Sequence, residues 1–175
     1  LHGASAGDLL ALQDADGYLG PWQAGSHLTG SAPNSSAGGF WGVIGVSKET
    51  ESQMGHAQSR GTWDAWGHYH IMLALMLWAE ETGDAAAMRG ARRMADLLCR
   101  TFLGTEKTLA NTGDQPHTNL SPTHALCVLH AKTRTRRYLQ LAEQTMNEQA
   151  GDSPHGPIAG DYLHAALAGK DFHEC

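Results

Sequence analysis

The sequence predicts an all-α protein built from stacked helical hairpins, and three observations carry that prediction. Residues 62–84, TWDAWGHYHIMLALMLWAEETGD, read as one helix at 3.6 residues per turn. The pattern that follows returns 51 residues later, so that Thr82 is answered by Thr133. From residue 62 onward the chain is helical in pattern almost throughout, and only 40–46 (FWGVIGV) offers a short strand or a buried turn.

Each element follows in order. Residues 6–13 (AGDLLALQ) look like the end of a helix whose start is missing. Asp14, Asp16 and Gly17 then build a turn, because Asp side chains bond their own backbone and Gly supplies unusual φ. Residues 21–61 form a long loop rich in Gly, Ser, Asn and His, and a connection of this length is commonly a functional loop. In the central helix Trp66, Tyr69, His70, Leu73, Leu77 and Glu80 share one side, and Ala74, Met76 and Trp78 widen the apolar band. That pattern predicts burial over most of the circumference, with Trp78 in the core. Thr62 offers the N-cap, Asp64 an anion in the first turn, and Gly83 the stop.

The first hairpin spans 62–102. Ala74, Leu75, Leu77, Met88 and Ala91 recur as Ala125, Leu126, Val128, Leu139 and Ala142, which places a second hairpin at 120–148. A third unit begins at 158–175, after a turn rich in Gly and Pro. Self-similarity at this period means stacked helix pairs that bury a continuous core between neighbours. The first helix of each pair is the more apolar, so it belongs inside and the second outside. Two hairpins and fragments do not close a ring, so the chain reads as an incomplete set, its 175 residues part of a larger domain.

Composition narrows the partners. A net charge of −6 disfavours nucleic acid and anionic membrane, and the longest apolar run is far short of a membrane span. The opening Leu1-His2-Gly3 and the closing His173-Glu174-Cys175 read as cuts through a longer protein, which leaves export undecided, with the cytoplasm slightly favoured. Cys99, Cys127 and Cys175 lack the spacing of a disulfide framework or a zinc ribbon, and Cys99 and Cys127 read as small core residues. The basic run Lys132, Arg134, Arg136 and Arg137 reads as a solvated outer turn.

Chemistry concentrates at the leading ends of the inner helices. Trp63, Trp66, Tyr69 and His70 open one, Asn119, Thr123 and His124 open the next, and His164, His173 and Glu174 lie near the third. Aromatic faces beside His and Asn suit a sugar, whose C–H faces stack while its hydroxyls take directed hydrogen bonds. His70 is read as a sugar contact, with a hydrogen-bonded core histidine as its alternative. His68 and His70 point about 200° apart on a helix and do not share a metal, so His68 is structural or superficial. Asp64 and His68, four residues apart, read as a surface contact at the helix N-terminus. Asp14 and Asp16 are turn formers, or else rim carboxylates. Such an array is either an open solenoid or a closed α/α toroid.

These stretches are similar to the helical catalytic domain of glycoside hydrolase family 127, the β-L-arabinofuranosidase-like proteins. The likeness rests on 62–84, with Trp66, His70 and Thr82-Gly83-Asp84, on RRYLQLAEQ with Tyr138-Leu139 after Thr133-Arg134-Thr135, and on DGYLG at Asp16 to Gly20. It covers roughly residues 8–175. It implies an (α/α)6-toroid fold and retaining hydrolysis of glycosidic bonds in plant or microbial glycans. It also implies a zinc-held Cys nucleophile beside Glu residues. His70 matches a sugar-contacting histidine, Trp66 and Tyr69 an aromatic site, and His173 another rim histidine; His124 stands where the family often has Glu. Glu174 and Cys175 resemble the Glu-x-Cys cluster, though the spacing is shorter by one, which makes them candidates for catalysis and for metal. Most of the zinc ligands and the catalytic pair, about 5 Å apart in a retaining enzyme, are expected outside this chain.

The expected partner is therefore a carbohydrate, together with the rest of the polypeptide or a homo-oligomer. An unsaturated uronyl hydrolase using Asp64 or Asp161 is the alternative toroid enzyme. A non-enzymatic helical-repeat binding module is the alternative outside enzymology.

Overall fold

A computed structural model describes residues 6–30, 64–109, 112, 118–150 and 168–169. Five α-helices occur among them: α1 (Ala6–Ala11), α2 (Asp64–Thr82), α3 (Ala85–Phe102), α4 (Ser121–Thr133) and α5 (Arg136–Ala150). A 3-10 turn, Thr118–Leu120, leads into α4. No strand occurs among the described residues. The strand option at 40–46, the Thr62 cap, Trp63, Asp161, His164 and the third unit at 158–175 fall outside the described residues, apart from a turn at Ala168 and Gly169.

The 51-residue repeat is visible at the hinge of each hairpin. The Thr82 hydroxyl donates to the Trp78 carbonyl at 2.6 Å, and the Thr133 hydroxyl to the Leu129 carbonyl at 2.7 Å. Gly83 (φ 73°) and Arg134 (φ 58°) both take the left-handed conformation that ends a helix. Their N–H groups close on the Ala79 and His130 carbonyls at 3.0 and 2.7 Å. Finally, the N–H groups of Asp84 and Thr135 each donate to the preceding threonine Oγ1 at 3.3 Å. Each of these three bonds has its counterpart 51 residues on. Asp84 then starts α3 by accepting from the Ala86 and Ala87 N–H groups, a side-chain cap that satisfies two orphan donors.

The helices form two layers. In one, α2 packs against α4; in the other, α3 packs between α1 and α5. The outer helices are amphipathic. Ala87, Gly90, Ala91 and Met94 of α3 are buried, and their repeat partners Tyr138, Leu141, Ala142 and Thr145 of α5 are buried too. Polar joints fix the layers at defined points. Tyr138 Oη and Arg137 both donate to Asp96 Oδ1 at 2.6 Å, joining α5 to α3, and Lys132 meets Glu80 at 2.8 Å, joining α4 to α2 near their hinges. Since Tyr69 and His124 touch at the opposite ends, α2 and α4 run parallel and their leading ends lie together. That places the rim.

The circumference of α2 is less buried than its composition predicts. The buried face carries Asp64, Ala65, His68, Met72, Leu75 and Met76, whereas Leu77 is 59% and Trp78 48% exposed. Apolarity all round does not say which side a neighbour covers, and α3 and α4 cover one. His70, Ala74, Leu77 and Trp78 form an exposed stripe along the other. Likewise Cys99 is buried but Cys127 is exposed. The basic run of residues 132–137 is exposed as expected, although Lys132 and Arg137 are ion-paired.

Candidate functional site

Four of the residues singled out for sugar contact meet at one place. The Trp66 and His70 rings lie edge to face at 4.6 Å, the next pair, Tyr69 and His70, at 4.7 Å, and Tyr69 reaches His124 of α4 at 5.9 Å. The Tyr69 hydroxyl and His124 Nδ1 are 3.2 Å apart, a hydrogen bond that orients the imidazole. Trp66 and Tyr69 are half-buried, while His70 and His124 are exposed. The cluster spans two inner helices, with its two imidazoles on the exposed side. Next to it a groove of about 590 Å³ runs between α4 and α5, lined by Thr123, His124, Cys127, Leu139 and Met146 among others. His173, Glu174 and Cys175 lie outside the described residues.

Behind the rings sits a second polar constellation, and here the expectations change. Asp64 and His68 are not a surface contact: they are 5% and 1% exposed. Asp64 accepts from the Tyr18 hydroxyl at 3.1 Å and from the Leu28 N–H at 3.0 Å. His68 Nε2 accepts from the Leu19 N–H at 3.4 Å, so the neutral ring carries its proton on Nδ1. Burial lowers the His68 imidazole to about 3, with the nearby His27 adding to the effect. Burial, together with the Asp64 charge, pushes the Tyr18 phenol well above its ordinary range, which keeps it a donor. A buried, engaged Asp64 is not free to activate water, which removes support from the uronyl hydrolase alternative as far as Asp64 is concerned.

The motif DGYLG explains why this arrangement forms. Asp16 Oδ1 accepts from the Tyr18 N–H at 2.9 Å, the turn-forming role expected of it. Gly17 (φ 101°) has its α-carbon so close to the Arg93 carbonyl that any Cβ would collide with it. A Cβ on Gly20 would strike the Tyr18 ring. Tyr18 and Leu19 are buried, and Tyr18 stacks on His27 at 3.7 Å. His27 Nδ1 faces Asp16 Oδ2 at 2.8 Å, and its Nε2 faces the Trp22 carbonyl at 3.0 Å and Asp14 Oδ2 at 3.3 Å. Burial alone would raise the Asp16 carboxyl, but the bonds from His27 and the Tyr18 N–H hold it below the ordinary range.

Asp14, Asp16 and His27 have ligand atoms within 4.8 Å of one another, the spacing of a cation site. Their partners argue otherwise. His27 Nδ1 and Nε2 already lie within hydrogen-bonding distance of Asp16 Oδ2, the Trp22 carbonyl and Asp14 Oδ2, so hydrogen bonding accounts for the spacing of the cluster. Nor does Cys99 offer a thiolate. Cys99 donates to the Arg137 carbonyl at 3.6 Å and burial pushes its thiol up to about 12, while Cys127 is exposed. No described residue is thus assigned to the zinc centre that the resemblance implies.

The family model described as the β-L-arabinofuranosidase GH127 catalytic domain matches residues 7–174. The chain belongs to this family. No curated protein and no solved structure matches it. This GH127 domain is thus of the glycoside hydrolase class, β-L-arabinofuranosidase-like, and its helical architecture agrees with the family. Sequence reasoning grouped Trp66, Tyr69, His70 and His124, which do meet, but read the Asp64–His68 pair behind them as a surface contact, whereas both residues are buried. One signal for their burial was available: the pair lies on the helical face away from Trp66 and His70.

Proposed function

We propose that this GH127 domain uses Trp66, Tyr69, His70 and His124 as part of the wall that seats an L-arabinofuranoside of plant or microbial glycans. The supporting observation is the convergence of four rings from α2 and α4 at one end of the helix pair. Rings present C–H-binding surface, and the imidazole nitrogens give the directed hydrogen bonds that discriminate hydroxyls. His124 occupies a position where the family often has a carboxylate, so here it binds or orients and does not supply the acid. His173 joins the same wall in this reading. The bond-breaking pair comes from residues outside the described ones, with Glu174 and Cys175 the candidates in this chain. Zinc, where present, is held there, and metal analysis of the purified protein tests that part separately.

Titration with methyl β-L-arabinofuranoside tests the wall. Trp66→Ala and His124→Ala each weaken binding by about tenfold, the worth of one good contact, with little change in the unfolding midpoint. Undiminished affinity in both variants would sink the proposal.

A further inference from the structure

The ring cluster is held from behind. Trp66 and His70 lie on one face of the first two turns of α2. Asp64 and His68, two positions before each, lie on the opposite, buried face. Both buried groups are acceptors for a single loop: Asp64 takes the Tyr18 hydroxyl and the Leu28 N–H, and His68 takes the Leu19 N–H.

The loop is itself fixed where it grips. Gly17 is wedged against the Arg93 carbonyl, Gln13 Nε2 donates to the Gly17 and Gly90 carbonyls at 3.0 Å, and Arg93 donates to the Asp14 carbonyl at 2.7 Å. Leu28, buried and not a glycine, holds a left-handed φ of 53° beneath its bond to Asp64. Such a conformation persists only where the surroundings over-determine it. A helix start, by contrast, has N–H groups without intrahelical partners and frays unless it is docked. Here the docked turns are the ones that carry Trp66, Tyr69 and His70.

We propose that Asp64 and His68 are positioning residues, which lock the start of α2 to the Tyr18–Leu28 loop and so set the orientation of the Trp66 and His70 rings. They touch no substrate; they act through the helix they share with the rings. The sugar-binding half of the test rests on the function proposed above, while the ring half does not.

The disrupting variants are Asp64→Leu, His68→Leu and Tyr18→Phe, the last removing a single hydroxyl in case the others do not fold. The conservative variants are Asp64→Asn and His68→Gln, which keep an acceptor for each loop N–H. The imidazole resonances of His70 and His124 are followed by NMR, and affinity for methyl β-L-arabinofuranoside is measured beside them. In the disrupting variants the His70 resonances move and affinity falls by about tenfold or more, as small misplacements of a preorganised site do; the conservative variants restore both. Wild-type His70 resonances in every folded disrupting variant, even with a lowered melting temperature, would overturn the proposal and leave the pair merely structural. Resonances that move in a protein whose wild type binds no furanoside keep the positioning role and remove the sugar reading.

Discussion

The two ends of the helix pairs obey different rules. At the hinge end, the second hairpin repeats the first: threonine hydroxyl, left-handed cap and returning N–H all recur 51 residues apart. At the mouth end the copy fails. The residue 51 after His70 is Ser121, and His124 answers Leu73 instead, so the two rim histidines are not repeat partners. Among the described residues the buried polar position survives in kind, since His68 is answered by Asn119, which is 3% exposed and donates to the Thr112 carbonyl. Backbone reversal is a geometric problem with one good solution, and repetition preserves it. A binding wall has to be asymmetric, because a sugar is.

The contrast can be broken most severely at the clasp. Gly17→Ala forces a Cβ into the Arg93 carbonyl at a left-handed φ, and urea unfolding registers a loss of about 3 kcal/mol. Next comes acid. The ordinary histidine value of 6.5 applies to His68 in the unfolded chain, and the folded value is near 3. Above pH 6.5 neither state is protonated and the full contribution is present. As the pH falls from there towards 3, the unfolded chain takes up a proton that the folded one refuses, and stability drops by up to ~1.4 kcal/mol per pH unit. Asp16, held low, adds to the loss in the same direction further down in acid. His68→Gln flattens the upper part of this profile, whereas hinge variants such as Thr82→Ala leave its shape unchanged.

At the hinge, smaller effects of opposite sign are expected. Gly83→Ala costs about 1 kcal/mol, and Arg134→Gly at the equivalent site gains about 0.5–1 kcal/mol, both measured by urea titration. Equal and opposite responses would establish the two caps as one device. Smallest of all is Lys132→Ala: the bridge to Glu80 is largely solvated, and its removal shifts stability by about 0.5 kcal/mol or less.

The same division explains what could be read in advance. Thr82-Gly83-Asp84 and Thr133-Arg134-Thr135 are local signals, so both hinges and the helices they join were legible from residue order. Trp66, Tyr69, His70 and His124 were legible as a group because each stands at the start of an inner helix. Asp64 and His68 were legible as a pair but not as a buried one, because the partners that cover them lie 36 to 49 residues away along the chain. Trp78 was misplaced for a related reason. An apolar residue on an apolar helix declares its preference but not its neighbour.

The two described thiols also part company in a useful way. Cys99 is sealed and held protonated, so alkylating reagents at neutral pH have little to attack, while Cys127 stands open one turn beyond His124. A spin label or fluorophore coupled there would sit on the lip of the groove and report, from outside the ring cluster, whenever something settles against it.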